Sequence, residues 1–254
     1  MTEALDGKVV IVTGGARGLG RTYCEVMAAQ GASVVAADLS DTADTVAAVT
    51  AAGGEALGVA LDVADPDACR AAVAESVEHF GHLDGLVNNA ALYATLSSGP
   101  FETLGDAEWE ATMRVNVTGV FNMCRAAVGP MKEAGGGSIV NISSLAAVYG
   151  MPNSLHYSTS KAAVLGLTRS LGRELGRYWI RVNAVAPSAV LTEGTEEFFG
   201  DKRERALDII AGQQALRRNL EPTDVAGTVA HLISDASRFV TAQTFMVDGG
   251  TIST

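Results

Sequence analysis

The stretch "KVVIVTGGARGLG", residues 8–20, joins a β-branched run to a glycine-rich turn and the start of a longer Ala-rich segment. Gly14, Gly18 and Gly20 permit a tight turn, a close approach of the main chain to a ligand and close packing of the following helix. The N-terminus of that helix offers free N–H groups and a partial positive charge, which attract phosphate groups. A strand, this turn and a helix in succession predict a unit that binds the pyrophosphate of a dinucleotide.

The alternation of short apolar runs and longer Ala-rich segments continues along the chain. The runs are not broken by polar alternation, which is typical of strands covered on both faces, and βα alternation is typical of a parallel sheet. We therefore expect an α/β fold, a doubly wound and mostly parallel seven-stranded sheet with helices on both faces, in a single domain over residues 1–254. The strands are predicted near 8–13, 33–38, 56–62, 84–88, 138–143, 180–186 and 243–247, and the helices near 19–30, 41–52, 66–80, 106–134, 155–177 and 223–235.

One segment departs from the alternation. Residues 188–218, between the sixth predicted strand and the next helix, form a long charged insertion. Insertions of this length in a compact domain are often lids or binding loops, so this segment is predicted to be a substrate-binding lid. The alternative is a solvent-exposed helical insertion that has no role in binding.

Composition excludes several classes of function. The net charge of the 254-residue chain is −11. Such an acidic chain repels nucleic acid and anionic lipid. The sequence does not begin with the basic region and following apolar region of a signal peptide. No apolar run approaches the roughly 18 residues of a membrane-spanning helix, so a cytoplasmic protein is expected. Cys24, Cys69 and Cys124 are scattered and odd in number, which indicates reduced, mostly buried thiols, and the four histidines do not cluster, so no metal site is predicted.

Asp38 stands at the end of the second predicted strand, twenty residues after Gly18. A carboxylate there can accept hydrogen bonds from the adenosine ribose hydroxyls and would repel a 2′-phosphate, which favours NAD over NADP. Arg17 argues for NADP, because it could pair with a 2′-phosphate. Since the Asp38 carboxylate is fixed while Arg17 can turn into solvent, NAD is the predicted cofactor and NADP the less favoured one.

Tyr157 and Lys161 stand four residues apart at the start of a predicted helix, in "HYSTSKAAVLGLTRSLGRELG", residues 156–176. Residues at this spacing are neighbours on a helix surface. An ammonium beside a phenol favours the phenolate and lowers the pKa of the tyrosine from about 10. The pair is therefore a candidate for proton transfer, and an ordinary surface pair is the alternative.

Seven motifs follow one another at spacings that resemble the short-chain dehydrogenase/reductase family, in its single-domain branch. They are "TGGARGLG" (13–20), "NNAA" (88–91), Asn116 in "RVNVTG", "NISS" (141–144), "YSTSK" (157–161), "NAVAPS" (183–188) and "VDGG" (247–250). The resemblance covers essentially the whole chain. It implies a Rossmann-type sheet, a nicotinamide cofactor at the carboxyl ends of the strands, and usually a homotetramer.

The resemblance assigns four catalytic residues. Tyr157 matches the general acid/base, and Lys161 matches the lysine that lowers the pKa of this tyrosine and holds the nicotinamide ribose. Ser144, thirteen residues before Tyr157, matches the serine that orients the substrate oxygen, and the spacing favours it over Ser143. Asn116 matches the asparagine that helps to hold a water in a proton relay to the lysine.

The cofactor-binding residues follow from the turn, the strand ends and the resemblance together. Asp62 and Val63 are expected at the adenine edge, Val190 beside the nicotinamide ring and Thr192 at its carboxamide. The full set is Gly14, Arg17, Gly18, Leu19, Gly20, Asp38, Leu39, Asp62, Val63, Asn89, Ala90, Ala91, Tyr157, Lys161, Pro187, Val190 and Thr192. Two positions depart from the pattern of the family, which usually has glycine where this chain has Ala91 and Ser188.

The predicted substrate contacts are mostly apolar or aromatic, with no cation to bind a carboxylate or phosphate. They are Ser144, Tyr157, Tyr93, Ser188 and Phe198. This set favours a hydrophobic secondary alcohol or its ketone. One alternative is an NADPH-dependent 3-oxoacyl-carrier-protein-type reductase, against which Asp38 and the acidic charge both argue. The other is a non-catalytic NAD(H)-binding relative, against which the intact catalytic set argues.

Overall fold

The computed structural model describes residues 4–252, and seven strands in this range form one parallel sheet. The strands are β1 (Val9–Thr13), β2 (Ser33–Asp38), β3 (Glu55–Ala60), β4 (Gly85–Asn88), β5 (Gly137–Ile142), β6 (Ile180–Pro187) and β7 (Thr244–Val247). Their order across the sheet is β3-β2-β1-β4-β5-β6-β7, with parallel pairing at every step. The predicted Rossmann-type sheet is confirmed, and each strand lies within two residues of its expected bounds.

Ten α-helices connect these strands within residues 4–252. They are α1 (Gly18–Ala28), α2 (Ala43–Ala51), α3 (Pro66–Phe80), α4 (Asp106–Met113), α5 (Gly119–Glu133), α6 (Ala146–Tyr149), α7 (Leu155–Leu175), α8 (Glu193–Phe199), α9 (Arg203–Gln213) and α10 (Pro222–Ile233). Short 3₁₀ helices lie at Phe101–Thr103, Gly176–Tyr178, Gly200–Lys202 and Asp235–Ser237. None of the helices in this range has the length and hydropathy needed to cross a bilayer.

Each face of the sheet has its own hydrophobic core, because successive residues of a strand point to opposite faces. From β1, Val10 and Val12 pack in the core that contains Tyr23 of α1 and Val229 of α10. Its neighbour Ile11 packs in the opposite core, which α3, α5 and α7 cover with Cys69, Met123 and Val164, among others. All three cysteines are free and buried, as the sequence predicts.

The predicted helix 106–134 is interrupted. A π-helical turn, Arg114–Thr118, separates α4 from α5 and contains the buried Asn116. Such turns occur mostly as single insertions within α-helices and are often found at functional sites. A π-helical turn contains one residue more than an α-helical turn, and the pattern of apolar residues in the sequence does not reveal this insertion. The four-residue α6 is likewise too short to produce a helical period.

The strand order creates a crevice at the carboxyl edge of the sheet. After β1 the chain builds outward through β2 to β3, and then returns to place β4 on the other side of β1. The loops that follow β1 and β4 therefore diverge, and ligands of such sheets bind at this point. Both loops are joined at their base, because the Thr13 hydroxyl oxygen accepts hydrogen bonds from the main-chain N–H groups of Asn89 and Ala90, each at 3.0 Å.

Candidate active site

A cavity of about 940 Å³ lies at the carboxyl edge of the sheet. It extends from the loops after β1 and β2, past those after β4 and β5, to α8 and α9 of the 188–218 segment. The predicted cofactor and substrate residues that line it are Gly14, Arg17, Gly18, Leu19, Asp38, Leu39, Asp62, Val63, Asn89, Ala90, Ala91, Tyr93, Ser144, Tyr157, Lys161, Pro187, Ser188, Val190 and Thr192. Gly20, Asn116 and Phe198 do not line it, although each was predicted to be a site residue.

The glycine-rich turn forms one end of the cavity. Gly14 and Gly18 have φ of +68° and +56°, in the left-handed region that glycine adopts without strain. A Cβ at Gly18 would have no heavy atom nearer than 3.7 Å, so the turn is open on the cavity side. A Cβ at Gly20 would collide with the carbonyl oxygen of Gly14. Gly20 therefore serves close packing of α1 against the turn, rather than direct contact with a ligand.

The carboxylate of Asp38 is held in place from two sides. Its Oδ2 accepts a hydrogen bond from the main-chain N–H of Ala16 at 3.0 Å, and its Oδ1 accepts one from that of Ser40 at 2.9 Å. The first of these bonds ties the end of β2 to the glycine-rich turn. The fixed carboxylate on which the predicted NAD preference depends is therefore present in the cavity wall.

The Arg17 side chain is exposed, but it is held by a partner on α8. Its guanidinium forms a two-point ion pair with Glu197 of α8, with Nη1–Oε1 and Nη2–Oε2 distances of 2.6 and 3.2 Å. The hydrogen bond with Glu197 is the main cause that raises the pKa of Arg17. The partner of Arg17 could not be found from local sequence, because it lies 180 residues away.

Tyr157 and Ser144 both line the cavity. Burial raises the pKa of Tyr157 to about 12, and a hydrogen bond with the Ser144 side chain offsets part of this effect. The neighbouring Ser143 instead donates its hydroxyl to the main-chain carbonyl of Lys161 at 2.8 Å, which ties the end of β5 to α7. The geometry thus places Ser144, and not Ser143, beside the phenol.

Lys161 is buried beside Tyr157 and is bonded to the main chain. Its Nζ donates a hydrogen bond to the carbonyl oxygen of Ile142 at 2.9 Å and lies 5.8 Å from the centre of the Tyr157 ring. Burial lowers the pKa of Lys161 to about 8. Burial is the largest influence on the phenol, so the net shift of the Tyr157 pKa is upward, and a lowering of this pKa by Lys161 stays a prediction.

Asn116 positions the loop after β4. Its Oδ1 accepts a hydrogen bond from the Leu92 N–H at 2.7 Å, and its Nδ2 donates to the Leu92 carbonyl and to the Ser160 hydroxyl, both at 3.1 Å. Both N–H bonds of the amide are therefore used within the protein. The side chain connects the π-helical turn, the loop and α7, and its part in a water relay stays a prediction.

Aromatic rings form the substrate end of the cavity. Tyr93 lies between Tyr157, at 5.1 Å between ring centres, and Phe198, which stacks on it at 4.6 Å with an interplanar angle of 18°. Phe198 thus supports Tyr93 from behind, whereas Phe199 lines the cavity itself. The 188–218 segment contacts the loop after β4 through this stack of Phe198 on Tyr93.

Several lining residues were missed by the sequence analysis. They include Glu193, Gln213, Thr251 and Ile252. Gly249 and Gly250, with φ of +62° and +83°, turn the chain after β7 so that Thr251 and Ile252 reach the cavity. The closing "VDGG" could have suggested such a turn, but not its direction. Ser188 lines the cavity as expected, and its Oγ accepts a hydrogen bond from the buried Gln214 at 3.0 Å.

These features suit a dinucleotide. The open turn at Gly18 leaves room for a diphosphate at the start of α1, and Asp38 offers a fixed acceptor for ribose hydroxyls at the same end of the cavity. The phenol of Tyr157 and the hydroxyl of Ser144 line the same cavity, whereas Thr192 lies beside the turn, about 3.8 Å from where a Cβ at Gly18 would be. Among the residues that the structure describes, no three His, Cys, Asp or Glu side chains form a group that could hold a metal ion.

Comparison with known proteins gives consistent matches along the chain. Residues 14–251 match the family model described as enoyl-(acyl carrier protein) reductase. The chain is 42% identical to a 3-alpha-(or 20-beta)-hydroxysteroid dehydrogenase of Mycobacterium tuberculosis, over 100% of this chain and 92% of that protein. It is 37% identical to a 3-oxoacyl-[acyl-carrier-protein] reductase of Thermotoga maritima, over 98% and 99% of the two chains. The crystal structure of carveol dehydrogenase from Mycobacterium avium in complex with NAD superposes with a TM-score of 0.91 at 30% identity, over 98% and 99% of the chains.

Proposed function

Because the chain belongs to the short-chain dehydrogenase/reductase family, we propose that it is an NAD(H)-dependent oxidoreductase that interconverts a hydrophobic secondary alcohol and its ketone. One observation carries this proposal: Ser144 and Tyr157 line the same cavity as the fixed carboxylate of Asp38. A proton-transfer group and a recognition group for an adenosine ribose thus stand at two places in one continuous site.

In this function Tyr157 is the general acid/base. It gives its proton to a ketone oxygen, or takes the proton of an alcohol, while Ser144 donates a hydrogen bond to the same oxygen and stabilises the charge that develops there. A bound nicotinamide would supply or accept the hydride. Lys161, buried behind the phenol, would favour the tyrosinate through its positive charge and is placed to bind the ribose next to the nicotinamide.

The substrate class follows from the walls around Tyr157. Tyr93 and Met151 pack in the same apolar cluster as Tyr157, and Tyr149 and Phe199 line the same cavity. Arg17 and Asp38 lie at the glycine-rich turn, and the ammonium of Lys161 beside the phenol is bonded to the carbonyl of Ile142. The relatives are named as dehydrogenases of a hydroxysteroid and of carveol, which supports a hydrophobic alcohol as the substrate class for this chain.

The NAD preference can be tested by substitution of Asp38. We expect the wild-type protein to bind NADH at least about tenfold more tightly than NADPH, because the fixed carboxylate repels a 2′-phosphate. Asp38→Asn removes the charge and keeps an acceptor for the Ala16 N–H, so the two affinities should approach one another. Fluorescence titrations with both nucleotides measure this, and tighter NADPH binding by the wild type would contradict the assignment.

A 3-oxoacyl-carrier-protein-type reductase is the second candidate, supported by the 37% identity to the Thermotoga maritima protein. That function shares the catalytic residues. An acidic carrier would have to dock on a protein with a net charge of −11, which is electrostatically unfavourable. Asp38 also argues against NADPH, so the alcohol dehydrogenase function is favoured.

The direct experiment is a substrate screen by absorbance at the NADH band. Alicyclic, aryl-alkyl and steroid secondary alcohols are supplied with NAD⁺, and the matching ketones and a 3-oxoacyl thioester with NADH or NADPH. Turnover of the neutral alcohols and ketones with NAD(H) supports the proposal. Turnover of the thioester alone, with NADPH, would replace it with the second candidate.

A further inference from the structure

The ion pair between Arg17 and Glu197 joins two parts of the site that are far apart in sequence. Arg17 belongs to the glycine-rich turn and lines the cavity, whereas Glu197 belongs to α8 of the 188–218 segment and does not line it. Both side chains are about half exposed, at 58% and 45%. The two-point geometry directs the guanidinium toward α8.

Other carboxylates also face this guanidinium. Glu193, one turn before Glu197 on α8, and Asp38 both act electrostatically on Arg17, more weakly than Glu197 does. In return, the hydrogen bond with Arg17 is the main cause that lowers the pKa of Glu197. The positive charge at this end of the cavity is therefore opposed by three negative charges that come from two elements.

An arginine at this place would otherwise suit a 2′-phosphate. Its planar guanidinium donates two parallel hydrogen bonds to phosphate oxygens as readily as to a carboxylate. Arg17 and Asp38 are close enough to interact, and Asp38 is the residue that faces the ribose in the proposed function. Whether Arg17 can bind a phosphate thus depends on whether its other partner releases it.

We propose that Glu197 is a second determinant of coenzyme preference, which acts through Arg17 by keeping the guanidinium away from a 2′-phosphate. This inference rests on the proposed function. The Asp38 carboxylate opposes NADP because it repels the 2′-phosphate directly. Glu197 opposes NADP because its ion pair with Arg17 keeps the guanidinium from neutralising that phosphate. Glu197 is a positioning residue, and the coenzyme preference is in this way partly set by the 188–218 segment.

The test is equilibrium binding of NAD⁺ and NADP⁺ by calorimetry, without substrate. Since an exposed ion pair is weak, we expect Glu197→Gln to lower the Kd for NADP⁺ by about three- to tenfold. The Kd for NAD⁺ should change by less than about twofold, because NAD⁺ has no 2′-phosphate. The ratio of the Kd for NADP⁺ to the Kd for NAD⁺ therefore measures the effect on binding of the 2′-phosphate, separately from any change that affects both nucleotides equally.

Two further variants identify the cause. Glu196→Gln removes the same charge from the same helix, but Glu196 pairs with Arg203 at 2.7 Å, so the ratio should stay at its wild-type value. Arg17→Gln/Glu197→Gln removes the cation as well, so the gain in NADP⁺ affinity should disappear. An unchanged ratio in Glu197→Gln, an equal gain in Glu196→Gln, or a gain that persists without Arg17 would each overturn the inference.

The same measurements separate this inference from the proposed function. Wild-type protein that binds neither nucleotide would contradict the proposed function. Wild-type protein that prefers NAD⁺, with no selective effect of Glu197→Gln, would overturn only the role of Glu197. A wild type that prefers NADP⁺ would overturn both, because Arg17 would then already be available to the phosphate.

Discussion

Tyr157→Phe is expected to reduce kcat by about 10³-fold or more, with the Kd for NADH changed by less than about twofold. The substitution removes only the hydroxyl, which is the group that exchanges a proton with the substrate oxygen in the proposed mechanism. The ring remains, so its contact with Tyr93, at 5.1 Å between centres, and the shape of the cavity should be kept. Steady-state kinetics and a fluorescence titration with NADH measure the two effects separately.

The matched control is Tyr93→Phe. Tyr93 lines the same cavity and also loses one hydroxyl, but that hydroxyl has no part in the proposed proton transfer. We expect a loss of activity smaller than about tenfold in this variant. Equal losses in the two variants, or loss of NADH binding in Tyr157→Phe, would contradict the assignment of Tyr157 as the proton donor.

The parts of the fold and site that sequence predicts are those set by local spacing. The glycine-rich turn, Asp38 at the end of β2, and Tyr157 with Lys161 on α7 each depend on a few residues within one βα unit or one helical turn. Their positions relative to one another follow from a parallel sheet, in which all strand ends meet at one edge. The cavity therefore contains nearly all of the predicted residues.

The features that sequence did not predict depend on distant contacts or on burial. Arg17 and Glu197 form a pair only because α8 folds back over the turn after β1. Phe198 and Phe199 are adjacent, and only the packing of α8 decides that the second lines the cavity while the first supports Tyr93. Spacing likewise suggested that Lys161 lowers the pKa of Tyr157, but spacing contains no information on how completely both groups are removed from water.

The burial of Lys161 indicates that this residue is retained at a cost in stability. Its only hydrogen bond within the described part of the chain goes to the carbonyl of Ile142, and no carboxylate lies among the causes that shift its pKa. A buried ammonium without an anionic partner destabilises the folded state. Functional residues often have this property, because the site must provide an interaction that only the bound ligand or the transition state uses.

Lys161→Met is accordingly expected to lower kcat by about 10²- to 10³-fold and to raise the free energy of unfolding at pH 7 by about 2–3 kcal/mol. In the unfolded chain the lysine keeps its proton up to about pH 10.5, whereas in the folded protein it releases it near pH 8. Below pH 8 the buried lysine is charged and destabilises the folded protein to the full extent. Between pH 8 and pH 10.5 the unfolded state binds more protons than the folded state, so the free energy of unfolding contributed by Lys161 rises with pH.

The measurement is urea unfolding of wild type and Lys161→Met, without cofactor, at a series of pH values from 7 to 10.5. Other buried groups, such as Cys24 and Tyr23, titrate with the opposite sign in part of this range, because burial raises their pKa values. The difference between the two proteins removes these shared effects, and we expect it to shrink steadily as the pH rises from 8 to 10.5. Tyr157→Phe is the control, since it keeps the lysine and should keep the wild-type rise. A difference that does not depend on pH would mean that the Lys161 ammonium is stabilised in the folded protein, and its proposed role beside Tyr157 would then need another electrostatic basis.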